Sequence, residues 1–139
     1  MDHRLTPQQE LLRATARDFF AREYPIDRMR LLLDAPDDEH RALWQAVCAL
    51  GWNAAPFPEE VGGYAGSFLE AAVLIEELGR AGCPGPFVHS TIAAGLALSD
   101  AGSPLARNIA GGDAVIIPAL ALIGVPLPML ATHFLVPAG

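Results

Sequence analysis

Two pairs of adjacent carboxylates, Glu59-Glu60 and Glu76-Glu77, are the first candidates for chemistry in this sequence. Burying one member of such a pair raises its pKa and lets it hold or take a proton near neutral pH. Neighbouring residues point in different directions, however, and Arg80 lies four residues beyond Glu76, the spacing of a helical ion pair. Solvent, helix caps or arginine partners are therefore the expectation for these carboxylates. His89 could titrate near neutral pH, but no Asp, Glu or Cys ligand set accompanies it. His3, His40 and His133 are scattered, so no metal site is expected. Ser90 and Ser99 lack the turn context of an activated hydrolase serine. Gly62-Gly63-Tyr64-Ala65-Gly66 follows no strand, so it predicts a tight turn rather than a dinucleotide loop. Cys48 and Cys83 read as two buried, reduced thiols.

The composition narrows the partners. Of 139 residues, 52% are hydrophobic and 18% charged, which excludes a disordered chain. Nine basic residues stand against sixteen acidic ones, a net charge of -7, so nucleic acid is not an expected partner. All nine are arginine, which removes any Schiff-base or phosphate-loop lysine. Residues 114–139 carry no Asp, Glu, Lys or Arg, long enough for a membrane span, yet Pro118, Pro126, Pro128 and Pro137 interrupt them. No membrane span and a cytoplasmic location are expected, with short buried strands at Ala114–Ile117, Ala119–Ile123 and His133–Val136.

Helices must position everything else. Thr6, Pro7 and Gln9 form a capping box that opens a helix to about Glu23, with Leu12, Ala16, Phe19 and Phe20 on one buried stripe. Arg28–Leu33 could add a short helix. Asp37 or Asp38 opens the next, which turns Leu43, Trp44, Val47 and Leu50 inward and stops at Gly51. Ser67 and Glu70 form a second capping box. A fourth helix is predicted over Val88–Asp100, burying Ile92, Ala93, Leu96 and Ala97, and a short fifth one ends at Gly111-Gly112.

These residues carry a resemblance. The order Leu43-Trp44, Leu50-Gly51-Trp52, Pro58-Glu59-Glu60-x-Gly62-Gly63, Glu76-Glu77-Leu78-Gly79-Arg80 and Pro86-Phe87 resembles the amino-terminal helical domain of the acyl-CoA dehydrogenases. His133–Ala138 is similar to a strand of that family's middle β domain. The expected fold is thus mainly α: a helical bundle over residues 1–113, then a partial β segment over 114–139.

The resemblance implies an FAD-dependent α,β-dehydrogenation of an acyl-CoA thioester, from fatty acid or steroid side-chain degradation, with electrons passing to an electron-transfer flavoprotein. It also implies that the catalytic carboxylate and most flavin contacts lie outside these residues, so activity would need the missing domains or a partner subunit in a homo- or hetero-oligomer. Phe87, Val88, Ser90, Thr91 and Ala94 map loosely onto the acyl-chain cavity by the same resemblance; plain packing of the helical domain suits them equally. The alternative is a non-catalytic helical assembly module or an inactive truncated relative.

Overall fold

The computed structural model describes residues 4–118 and 130–136. The expected strand at Ala119–Ile123 lies outside them. Helices dominate: α1 (Pro7–Glu23), α2 (Ile26–Leu32), α3 (Asp37–Ala49), α4 (Phe68–Ala81), a π-helix (Phe87–Gly95) running directly into α5 (Leu96–Asp100), and α6 (Leu105–Gly111). Strands β1 (Ile116–Pro118) and β2 (His133–Leu135) close the order.

Both capping boxes form. Thr6 Oγ1 accepts the Gln9 N–H at 3.3 Å while Gln9 Oε1 accepts the Thr6 N–H at 2.9 Å. At α4, Ser67 and Glu70 repeat the exchange, and the Ser67 N–H donates to Glu70 Oε2 at 2.7 Å. Each box satisfies donors that a helix start otherwise leaves open. The two starts are also tied together, because Gln9 Nε2 donates to Glu70 Oε1 at 2.7 Å. Eight residues further along α1 and seven along α4, Arg17 meets Glu77. Helices α1 and α4 therefore run parallel, pinned at two levels.

The Leu12–Phe20 stripe packs as expected, Ala16 and Phe20 buried and Leu12 and Phe19 half-buried against the same core. Phe19, Phe20 and Trp52 form an aromatic cluster, with the Phe19 and Trp52 rings edge to face at 5.5 Å. Leu43, Trp44 and Val47 face this core, whereas Leu50 is exposed beyond the last turn of α3. Gly51 there takes φ +73°, the left-handed value that a side chain disfavours. A second, smaller core joins Phe57, Ala94, Ala106, Ile109 and Ile116.

The loop from Trp52 to Phe57 is buried throughout. Asn53, with no exposure, holds it to the end of α6 by donating from Nδ2 to the Ile109 and Ala110 carbonyls at 2.8 and 2.7 Å. The glycine turn folds back on this loop: the Ala65 N–H donates to the Phe57 carbonyl at 2.9 Å and the Gly66 N–H to the Ala55 carbonyl at 3.1 Å. A Cβ at Gly63 would overlap the Phe57 carbonyl, so the turn needs glycine for close approach.

β1 and β2 pair in parallel, with Ile116 opposite His133 and Pro118 opposite Leu135. The first strand starts two residues later than expected. Thr132 replaces part of the ladder by accepting the Val115 N–H on Oγ1 at 3.0 Å.

Candidate functional site

The π-helix brings the five expected acyl-lining residues onto one segment, with Pro86 as its preceding residue. Phe87, Ser90, Thr91 and Ala94 are buried, and Val88 is half exposed. The inward face differs from the expected one: Ile92 and Leu96 are only half-buried, and Ala93 and Ala97 are exposed. The segment is apolar almost all round, so hydrophobicity cannot set its phase. A polar bond does. Ser90 Oγ accepts the buried Ile116 N–H at 3.0 Å, anchoring β1 to the π-helix and turning the hydroxyl face inward. Thr91 Oγ1, equally buried, has no hydrogen-bond partner among the described residues. Ala94 belongs to the smaller core with Phe57. Longer helical turns of this kind recur at functional sites.

The carboxylate pairs separate by environment. Glu59 and Glu60 are exposed on a single turn, Glu59–Val61. Glu76 meets Arg80 at 3.2 Å on the surface, at the expected spacing. Glu77 is buried, its side chain only 1% exposed. The Arg17 Nε–H and Nη2–H donate to its Oε2 and Oε1 at 3.1 and 2.6 Å, and Arg80 Nε lies 3.3 Å from Oε2. The hydrogen bonds from Arg17 outweigh burial and hold the Glu77 carboxyl below the usual carboxylate range. A buried Glu77 is thus a fixed anion tying helices together, not a proton donor. His89 is exposed. Cys48 and Cys83 are free thiols, both pushed up to about 12 by burial, Asp113 adding to the shift at Cys48.

Among the described residues, three clefts stand out. The first, about 190 Å³, lies between the Arg17–Glu77 pair and the turn from α1 into α2 at Tyr24 and Ile26. The second, about 180 Å³, is lined by Trp44, Ile75, Leu78, Gly79, Cys83, Gly85, Phe87 and Val88. The third, about 120 Å³, holds Arg41, Trp44, Gln45, Asp113 and Thr132. The second receives Phe87 and Val88 from the expected set; Ser90, Thr91 and Ala94 do not line it. Its other walls carry only packing signals in the sequence, Trp44 and Leu78 as helix-face residues and Cys83–Gly85 as a helix break. Among the described residues no three His, Cys, Asp or Glu side chains are grouped to hold a metal, and no helix is long and apolar enough to cross a membrane.

Residues 6–108 match the family model described as acyl-CoA dehydrogenase, N-terminal domain. This chain belongs to the acyl-CoA dehydrogenase family. It is 33% identical over 117 residues to the acyl-CoA dehydrogenase IpdE2 of Mycobacterium tuberculosis, across 80% of this chain and 36% of that protein. Its fold superposes on a chain of the ChsE4-ChsE5 complex from Mycobacterium tuberculosis with a TM-score of 0.74 at 20% identity, covering 85% of this chain and 34% of that one. A variant of the Tcur3481-Tcur3483 steroid ACAD gives a TM-score of 0.73 at 25% identity, with the same coverage of 85% and 34%. The mainly helical fold of an acyl-CoA dehydrogenase N-terminal domain is thereby established, and the chain spans about a third of the length of these relatives.

The family implies FAD, and none of these three clefts is large enough to enclose it. Pockets that enclose a drug-sized ligand run to roughly 300–1,000 Å³. The largest of the three clefts described above, about 190 Å³, falls below that range, and the dinucleotide is larger than a drug-sized ligand. Glu77, buried among the described residues, is committed to Arg17 and Arg80.

Proposed function

We propose that this chain supplies the N-terminal helical wall of an FAD-dependent acyl-CoA dehydrogenase, acting on the α and β carbons of an acyl-CoA thioester. The observation that carries this reading is the family match over residues 6–108. Flavin and the proton-abstracting base would come from outside the described residues, in further domains or a partner subunit, and electrons would leave to an electron-transfer flavoprotein. Oligomeric assembly is part of the same proposal; the ChsE4-ChsE5 relative is itself a complex. The contribution of this chain is to shape and dry the acyl site. Phe87 and Val88 offer apolar surface at a cleft, while Ser90, Thr91 and Ala94 set the position of the helix that presents them. Excluding water there would favour burial of the acyl tail.

The test is to isolate the tagged full chain from its native host with whatever assembles on it. Visible flavin absorbance and acyl-CoA-dependent reduction of an electron-acceptor dye are then measured. A yellow, active assembly is expected, and Val88→Trp should raise KM for acyl-CoA at unchanged melting temperature, because Val88 is half exposed. A colourless assembly with no dye reduction would overturn the enzyme reading in favour of an assembly module. An unchanged KM would remove Val88 from the acyl site.

A further inference from the structure

The first cleft, about 190 Å³, combines apolar walls with half-exposed arginines. Phe20, Ala21, Pro25, Ile26 and Ala81 supply apolar surface, while Arg17, Arg80 and Glu77 bring two positive charges against one negative. The Arg17 and Arg80 side chains are 50% and 56% exposed, and that of Glu77 is 1% exposed. A guanidinium carries five N–H donors. Arg17 spends Nε and Nη2 on Glu77, at 3.1 and 2.6 Å. Arg80 places Nη2 on Glu76 at 3.2 Å and Nε 3.3 Å from Glu77 Oε2. Nε and Nη2 share one edge of the guanidinium plane, so both arginines turn that edge to the glutamates. The Nη1 group of each has no partner among the described residues. Donors are thus left over on side chains that line the cleft and reach solvent.

The wider charge agrees. Helices α1 and α2 hold five of the nine arginines against Glu10, Asp18, Glu23 and Asp27, whereas the rest of the chain has four arginines against twelve carboxylates. One of the five, Arg28, stands 4.4 Å over the ring of Tyr24, which also lines the cleft. Of the α4 carboxylates, Glu77 lines the cleft and Glu76 does not. We propose that this cleft binds a small organic carboxylate, its apolar body against Phe20, Ala21 and Ile26 and its oxygens accepting from the Nη1 groups of Arg17 and Arg80. The volume sets the size of the body: an apolar cavity of about 150 Å³ accepts benzene, and this cleft is about 190 Å³. Two arginines against one glutamate set the charge, since one net positive charge matches a monoanion better than a phosphate dianion. The guanidinium forks set the group, because they match carboxylate oxygens in pairs. This inference stands on the α1–α4 cleft and does not rest on the acyl-CoA reading.

The probe is cyclohexanecarboxylate, with acetate as the anion lacking a ring and cyclohexylammonium as the ring with opposite charge. Each is titrated into the ¹⁵N-labelled full chain at constant pH and ionic strength. The signals followed are the Arg17 and Arg80 Nε–H and the Ala21, Ile26 and Ala81 amides. Cyclohexanecarboxylate should shift them with a saturating dependence, at a half-saturation at least tenfold below that of acetate, and cyclohexylammonium should not. Ala21 is an exposed position of α1, so Ala21→Leu crowds the cleft without entering the core. Arg80→Gln removes one charge and leaves Glu77 its two bonds from Arg17. Each should weaken the response at least tenfold, and whichever variant keeps the parent melting temperature is read. Shifts that never saturate overturn the proposal. So does acetate binding as tightly as the ring acid, an equal response to the ammonium, or a response unchanged in the variant read. Turnover of acyl-CoA is not part of the readout, so loss of carboxylate binding and loss of dehydrogenase activity are separable.

Discussion

Replacing Glu77 by glutamine tests whether the α1–α4 contact is an ionic clasp. Glutamine keeps the shape and one acceptor but loses the charge, and its amide nitrogen presents a donor to one of the two Arg17 donors. In the wild-type chain two Arg17 N–H groups donate to the buried carboxylate, at 3.1 and 2.6 Å. A hydrogen bond to a charged group contributes about 1.5–3 kcal/mol, and a neutral one about 1. Losing one bond and weakening the other, offset by removing a buried charge, gives a net cost of about 1–2 kcal/mol at neutral pH. For a domain of this size that lowers Tm by roughly 4–8 °C. The pH dependence is the sharper check. The folded Glu77 carboxyl lies below its ordinary range, chiefly through the hydrogen bonds from Arg17. Its stabilisation is therefore fully present above the ordinary carboxylate pKa and fades as pH falls through the lowered folded value. Protonated glutamate resembles glutamine, so the Tm gap between wild type and Glu77→Gln should close in acid, as read by thermal melts from pH 7 down to about 3. A gap that stays constant over that range, or no gap at pH 7, refutes the clasp. Glu77→Leu, which removes every acceptor and leaves Arg17 and Arg80 without their carboxylate, should cost more than Glu77→Gln.

Ser90→Ala leaves the buried Ile116 N–H without its acceptor at 3.0 Å; a loss of about 1–3 kcal/mol is expected, with faster amide exchange at Ile116 as the local readout. Thr91→Val replaces a buried hydroxyl that has no partner among the described residues, so thermal melts should show the variant as stable as wild type or up to about 1 kcal/mol more so. Gly63→Ala drives a Cβ into the Phe57 carbonyl, whereas a Cβ at Gly62 meets nothing within 4 Å and only its φ of +90° opposes substitution. Melting curves should therefore show Gly63→Ala costing about 2 kcal/mol or more and Gly62→Asn about 1 or less, since asparagine tolerates the left-handed region.

What the sequence made legible was local. Thr6 with Gln9, Ser67 with Glu70, and Gly51 after Leu50 each act within four residues, and all three form as expected. The Glu76–Arg80 pair is of the same kind. The failures share a different cause. Arg17 reaches Glu77 across 60 residues, and Asn53 caps α6 across 56 and 57; nothing near either residue announces its partner. Along Phe87–Asp100 the apolar residues leave no polar stripe to fix the inward face, so a hydroxyl bond to β1 decides it. Leu50 was expected inward and lies outside because the last turn of α3 ends before it. The cleft was legible only in part, since Phe87 and Val88 come from one segment while Trp44, Gly79 and Gly85 come from three others.

The places where the chain breaks local rules are not spread evenly. Helix starts, the ion pair and the aromatic cluster on the α1–α4 side obey every preference of caps, charges and ring packing. Departures lie on other elements: an indole N–H on α3 and a threonine hydroxyl on the π-helix, each without a partner among the described residues. Each lowers stability, and each borders the cleft or lies on the segment that supplies its Phe87 and Val88 wall. A sequence that satisfies its rules on one side of the same helical core can satisfy them on the other, so concentrated departures point to a constraint other than folding. His40 Nδ1 lies on the same helix as Trp44, one turn earlier, and is a further atom without a partner among the described residues. Asn53 Oδ1 is the exception that fits packing, because the same side chain already spends two donor bonds on the end of α6. Stability concentrated around α1 and the start of α4 would let α3 and the π-helix carry unpaired groups without unfolding the domain.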